Sequence, residues 1–125
     1  MSFRLRLSTP DKTFIDADAD EITCPGLHGY FGILTGHEPM ISGLDTGIIK
    51  VKTGTQVKHF VVDTGLIEVR GSAVDLFVNY TEPAASSVDA DSKLEQLKIA
   101  RQSRQNLYDP RMTREREHHG KMYLL

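Results

Sequence analysis

Three aspartates at alternate positions are the first candidates for chemistry in this 125-residue chain. A calcium loop built on Asp16, Asp18 and Asp20 would continue with a glycine and, about six residues later, a glutamate. Neither residue stands at those places. Because alternate residues of a strand share one face, the spacing favours three exposed carboxylates on a strand over a metal site.

Three glycines at every third position form the next candidate. Gly26, Gly29 and Gly32 loosely resemble a loop that cradles phosphate. Such a loop needs a helix N-terminus behind it and often ends in Gly-Lys-Ser/Thr. The residues that follow are Ile33 and Leu34, which are typical of a strand. We therefore interpret these glycines as places where the backbone bends.

The remaining candidates are one cysteine and five histidines. Cys24 alone excludes an internal disulfide and a thiolate cluster, and its alternation with Ile22 indicates a buried, inert thiol. No two histidines have the i, i+4 spacing of a zinc enzyme, and no Gly-x-Ser-x-Gly motif occurs. We expect no catalytic residue, no metal site and no cofactor. The histidines are His28, His37, His59, His118 and His119.

Composition indicates a folded domain with a tail of different character. Hydrophobic residues make up 39% and charged residues 26% of the chain, and the net charge is -2. Residues 1–85 carry a net charge of -4, whereas residues 86–125 carry +2. The basic excess of the tail is small and mixed with acids, so no nucleic-acid partner is expected. No apolar run approaches the roughly 18 residues of a membrane span, so no direct insertion in a membrane is expected.

Alternation of apolar and polar residues dominates the chain up to about Tyr80. Phe3, Leu5 and Leu7 lie on one face of a predicted strand, and the run 74–78 repeats the pattern. Turn residues separate further runs rich in Val, Ile and Phe at 48–52, 57–63 and 66–70. The pattern predicts a β-sandwich or barrel.

The pattern changes after residue 85. We predict a linker over 82–87, because its proline disfavours a sheet ladder, and domains of 1–85 and 86–125. Ser92 and Glu95 have the spacing of a capping box, which predicts a helix of about 15 residues that ends near Tyr108. A short second helix before Gly120 would complete a helical hairpin.

The glycine-rich stretch and the strands that follow it are similar to one known family. The chain resembles the epsilon subunit of F-type ATP synthases, called delta in mitochondria. The resemblance covers nearly the whole β region in the same order. The matching segments are Gly29-Tyr30-Phe31-Gly32-Ile33-Leu34, Gly36-His37-Glu38-Pro39, Met40-Ile41, Gly47-Ile48-Ile49-Lys50-Val51 and Phe60-Val61-Val62-Asp63-Thr64-Gly65-Leu66-Ile67-Glu68-Val69.

This resemblance implies a non-catalytic rotor subunit with a sandwich of about ten strands and a C-terminal helix or helical hairpin. The sandwich would bind the gamma subunit and the c-subunit rotor ring. The resemblance places the ring contact at Tyr30, Phe31, Gly36 and His37, and the gamma contact at Ser42, Asp63 and Glu68. It implies a peripheral position on the cytoplasmic face of a bacterial plasma membrane.

The tail resembles the regulatory element of the family, which can contact the alpha/beta catalytic head and block ATP hydrolysis. Lys98 stands where some relatives have a nucleotide-sensing arginine, and it lacks the bidentate fork of arginine, which argues against ATP sensing by the tail. The alternative to a rotor subunit is a stand-alone β-sandwich module that binds a ligand. The candidate tail contacts are Lys98, Arg101, Arg104, Arg111 and Arg114.

Overall fold

The computed structural model describes the backbone of residues 1–107 and the side chains of residues 1–103. This part of the chain contains eight strands followed by one helix. The elements are β1 Phe3–Ser8, β2 Thr13–Ala19, β3 Glu21–Gly26, β4 Gly29–Leu34, β5 Met40–Leu44, β6 Gly47–Thr53, β7 Gln56–Arg70, β8 Ala73–Ala84 and α1 Ser87–Leu107.

The strands form one continuous sheet that folds over into a sandwich. Their order is β2-β1-β8-β7-β5-β3-β4, with β6 paired to both β3 and β7. All neighbours are antiparallel except β1 and β8, which are parallel. The predicted β-sandwich with an α appendage is therefore confirmed.

Two long strands explain why there are eight strands rather than about ten. The first half of β7 pairs with β6 and its second half with β5, while β8 follows it along the whole length. The positions of β7 that belong to the core cluster change from even numbers, Phe60 and Val62, to odd numbers, Ile67 and Val69. Gly65 lies at this change, where a Cβ atom would overlap the carbonyl oxygen of Phe77. A glycine therefore lets the two strands approach closely as they pass from one layer to the other.

The core fills the space between the layers with aliphatic side chains. Every second residue of β1 is buried, as alternation predicts, and the same holds for Val74, Leu76 and Val78 of β8. Burial of one such side chain contributes about 1.5–3 kcal/mol. The largest fully buried side chains are Leu5, Leu7, Ile22, Ile33, Leu44, Ile49, Ile67 and Leu76.

The predicted linker is wrong, because strand and helix nearly meet. β8 continues through Pro83, which pairs with Phe60 of β7. β1 pairs with β8 only as far as Phe77, so this end of β8 has a ladder on one side, where a proline is tolerated.

The predicted helix start at Ser92 is also wrong, since α1 begins at Ser87 and has 21 residues. The backbone N–H of Asp89 donates to the Ser86 hydroxyl at 3.1 Å, and the N–H of Ala85 donates to the Asp89 carboxylate at 2.8 Å. Ser86 thus caps the helix, and Asp89 in its first turn accepts a second bond from the backbone just before the cap. Ser92 lies one and a half turns inside the helix and is exposed.

The chain divides into two compact units, one ending at Leu94 and the other beginning at Glu95. The first unit holds all eight strands and the first eight residues of α1. The predicted second helix and the predicted end near Tyr108 lie outside the described residues.

Candidate docking surface

An exposed apolar patch covers the outer face of the sheet where β5, β7 and β8 run side by side. It consists of Leu27, Ile41, Leu66 and Phe77, which are 62%, 67%, 42% and 45% exposed. Leu66 and Phe77 are cross-strand partners. Their neighbours Ile67 and Leu76 are buried in the core, so alternation turns Leu66 and Phe77 outward.

Gly43 joins the members of the apolar patch. It pairs with Leu66, and a Cβ atom on Gly43 would lie 2.9 Å from Cδ1 of Leu27. Leu27, from the β3–β4 turn, therefore lies over the glycine and reaches toward the β7 and β8 side chains. Ile41 stands two residues from Gly43 on the same face. Four large apolar side chains so arranged mark a surface for interaction rather than isolated exposure.

Charged side chains that form ion pairs with one another border the apolar patch. Arg70 lies 2.6 Å from Asp75 and 3.5 Å from Glu68. The hydrogen bond to Asp75 and the charges of Glu68 and Asp75 raise the pKa of Arg70. The Asp75 side chain is only 11% exposed, so the pair with Arg70 compensates its burial. The border is polar and internally satisfied, as in the rim of a protein interface.

The predicted ring contact includes Tyr30 and Phe31 of β4, an edge strand. Tyr30 is 57% exposed, whereas Phe31 packs partly against the core. The Tyr30 hydroxyl accepts a hydrogen bond of 3.0 Å from the backbone N–H of Ile48. A Cβ atom on Gly47 would lie 2.6 Å from that hydroxyl and from Cβ of Pro25. Because Gly47 has no side chain, the Tyr30 hydroxyl can reach the backbone of β6. The hydrogen bond there holds the ring of this exposed tyrosine in place.

Gly36 and His37 lie in the loop after β4. Gly36 has φ of +87°, a conformation that side chains disfavour. The backbone N–H of His37 donates to Leu34 at 3.2 Å, and its ring Nδ1 donates to the carbonyl of Glu38 at 2.8 Å. The imidazole is therefore held by its own loop.

The three residues predicted to contact gamma do not share one face. Ser42 pairs with the buried Ile67, whereas Glu68 pairs with Ile41 of the apolar patch, so alternation directs Ser42 and Glu68 to opposite faces. Asp63 is partly buried and accepts a hydrogen bond of 2.8 Å from the Thr46 hydroxyl.

The predicted tail contacts are described only in part. Lys98 is exposed on α1, and Arg101 is partly buried. Arg104 lies on α1, but its side chain is outside the described residues. Arg111 and Arg114 also lie outside the described residues.

The described residues contain no group of three metal-ligating side chains. Cys24 is fully buried, as predicted, and burial raises the pKa of its thiol to about 12. It is therefore protonated and unreactive at neutral pH. Within residues 1–107 no helix has the length and apolarity to cross a membrane.

Sequence reasoning missed the apolar patch, although one signal was available. Phe77 stands at an outward position of β8, where the alternation calls for a polar side chain. Leu66 is likewise an apolar residue at an outward position of β7, since the inward positions there are those of Ile67 and Val69. Leu66 and Phe77 share a surface with Leu27 because of the strand register and because Gly43 leaves space for Leu27. Hydrophobic periodicity alone predicts neither feature.

Comparison with known proteins decides which family has this sandwich. The sequence model described as "ATP synthase, Delta/Epsilon chain, beta-sandwich domain" matches residues 2–84. The chain belongs to this family. As a member it is a non-catalytic subunit of an ATP synthase.

Relatives of the epsilon chain come from bacteria and plastids. The ATP synthase epsilon chain of Prochloron didemni is 35% identical over 103 residues, which are 82% of this chain and 75% of the relative. The chloroplastic epsilon chain of Emiliania huxleyi is 38% identical over 92 residues, which are 74% of this chain and 70% of the relative.

One solved structure supports the same family assignment, and a second shares the fold. A chain in the Euglena gracilis mitochondrial ATP synthase, a structure of OSCP, F1 and c-ring, matches with a TM-score of 0.66 and 25% identity. The match covers 80% of this chain and 64% of that one. A chain of the Tetrahymena thermophila mitochondrial ATP synthase central stalk and c-ring shares the fold, with a TM-score of 0.57, 20% identity and coverage of 63% and 64%.

Proposed function

We propose that this chain belongs to the central stalk of a rotary ATP synthase, where its sandwich joins the gamma subunit to the c-subunit rotor ring. The observation that carries this proposal is the apolar patch on a family member with no catalytic group among its described residues. A sheet that exposes four large apolar side chains within a border of paired charges is suited to a lasting protein contact.

The apolar patch is the proposed gamma-binding surface. It has the aromatic and aliphatic centre of an interface, and Glu68 lies beside it, opposite Ile41. Glu68 is thus the member of the predicted gamma contact that this surface includes. Asp63, on the same strand, would contribute at its margin, whereas Ser42 is directed to the opposite face.

The edge formed by β4 and the loop after it, residues 29–37, is the proposed ring-binding surface. Tyr30 and His37 are each held by hydrogen bonds to backbone atoms, so little conformational freedom is lost when a partner binds. Phe31 and Gly36 shape the backbone around them. Recognition at this edge needs no reacting group, in keeping with a joint that transmits torque.

The division of labour that we propose is docking by residues 1–85 and regulation by residues 86–125. The tail would contact the alpha/beta head through Lys98, Arg101, Arg104, Arg111 and Arg114, and so inhibit ATP hydrolysis. In a bacterial cell the assembled chain would lie peripherally on the cytoplasmic face of the plasma membrane.

Binding of purified gamma subunit to full-length variants tests the gamma-binding surface. Leu66→Gln and Phe77→Gln should each weaken binding roughly tenfold or more, because they place a polar amide at the centre of the contact. Val57→Gln is the matched control, since Val57 also lies on β7 and is 46% exposed. Equal gamma affinity of all three variants and the unaltered chain would refute the surface. No binding by the unaltered chain would favour a stand-alone module.

A further inference from the structure

The Lys93 side chain of α1 reaches back to the end of β8. Its ammonium donates to the carbonyl oxygen of Pro83 at 2.9 Å and lies 3.4 Å from Glu82 and 3.3 Å from Asp89. One cation therefore contacts a strand carbonyl, a strand carboxylate and a helix carboxylate. The side chain is only 27% exposed, so its contacts are partly shielded from water.

Both carboxylates around Lys93 are already held in place by other groups. The Tyr80 hydroxyl donates to Glu82 at 3.0 Å, and the backbone N–H of Ala85 donates to Asp89 at 2.8 Å. The pKa of Asp89 is lowered, first by the Ala85 N–H and further by Lys93. Burial alone would lower the pKa of Lys93, but Asp89 and Glu82 outweigh it and raise that pKa. Both shifts favour the charged forms of Asp89 and Lys93.

Apolar packing acts at the same place as these charges. Ala90, one turn before Lys93, is fully buried. Val61 of β7 is 1% exposed but is not part of the core cluster between the layers. It pairs with Glu82, the residue that Lys93 contacts. The start of α1 is therefore packed as well as paired.

We propose that Lys93 is a positioning residue that fastens the first two turns of α1 to the end of β8. Residues 87–94 then behave as part of the sandwich, and the boundary between sandwich and tail lies inside the helix. The compact unit that holds the strands ends at Leu94, one residue after Lys93. This inference concerns the isolated chain and does not depend on any partner.

Amide hydrogen exchange of the full-length isolated chain tests the role of Lys93. Lys93→Met keeps the apolar stem and removes the ammonium, so amides of residues 90–94 should exchange roughly three- to tenfold faster. Lys98→Met is the matched control on the same helix, because Lys98 is exposed. It should leave these amides unchanged. Amides of β1 and β6 report whether each variant retains the folded sandwich.

Two further arms separate the charge from the packing. Lys93→Arg keeps a cation and should restore most of the protection. Raising salt to about 1 M should accelerate exchange of residues 90–94 in the unaltered chain but not in Lys93→Met, because salt screens ion pairs at the surface. Equal exchange of residues 90–94 in Lys93→Met, Lys98→Met and the unaltered chain would overturn the proposal. Loss of protection in Lys93→Arg equal to that in Lys93→Met would also overturn it.

Discussion

At the scale of single residues, several polar side chains of the described part of the chain make contacts within the fold. The Tyr30 hydroxyl is bonded to the β6 backbone, Asp75 pairs with Arg70, and Cys24 is buried in the core. Acidic and glycine-rich motifs that could suggest chemistry instead cover strand faces and permit close backbone contacts. The side chains whose exposure is unusual for their type are large apolar ones, Ile41 and Phe77 among them.

The buried thiol of Cys24 predicts a loss of stability in alkali. Its folded pKa of about 12 exceeds the reference of 9.0, so the folded state binds the proton more tightly. This contribution is fully present below pH 9 and is lost between pH 9 and 12, at up to about 1.4 kcal/mol per pH unit. Urea unfolding at pH 7.5 and 10.5 should show a smaller alkaline loss for Cys24→Val than for the unaltered chain. Equal losses would contradict the assignment.

At the scale of elements, the sandwich could be predicted from sequence and the junction with the helix could not. Alternation in β1 and β8 locates the core because strand periodicity is local. Pro83 alone suggests that the strand ends before it. In the structure Pro83 lies beyond the point where β1 stops pairing with β8, so a proline is tolerated within the strand. Ser86 and Ser92 both have an acid three residues later, and tertiary contacts at the end of β8 decide between these two caps.

Substitution of the two serines distinguishes the cap in the structure from the cap suggested by spacing. Ser86→Ala should lower the free energy of unfolding by roughly 0.5–2 kcal/mol, because the Asp89 N–H loses its acceptor. Ser92→Ala lies within the helix and should be neutral or slightly stabilising, because alanine favours helix. Thermal unfolding followed by circular dichroism measures both. The reverse order of effects would place the cap at Ser92.

The bend of β7 and β8 makes a second prediction at this scale. Gly65→Ala should destabilise the fold by about 1–3 kcal/mol, since the added methyl group meets the rigid backbone of Phe77. Gly32→Ala is the matched strand control, where the added Cβ would lie 3.7 Å from the nearest carbonyl oxygen, an ordinary contact. Urea unfolding should rank Gly65→Ala well below Gly32→Ala. Equal stabilities would contradict the close approach at Gly65.

At the scale of the whole molecule, the sandwich carries the proposed gamma-binding and ring-binding surfaces, and α1 follows β8 in the chain. The family assignment could be made from the ordered motifs between Gly29 and Val69, because they encode the turns and strand sequence of the fold. The apolar patch could not be predicted from the sequence, because it depends on the strand register that pairs Leu66 with Phe77 and on the position of Leu27 over Gly43. We expect docking to require residues 1–85 and regulation to require the tail beyond Leu94.

Affinity for the gamma subunit, measured on the full chain and on a chain that ends at Leu94, tests whether the sandwich anchors the subunit without the tail. The shorter chain retains the apolar patch, the cap at Ser86 and the Lys93 contacts. We predict that both chains bind gamma with Kd values within about threefold of each other. A full chain that binds and a shortened chain that folds but does not bind would show that the tail is the anchor and would contradict the account.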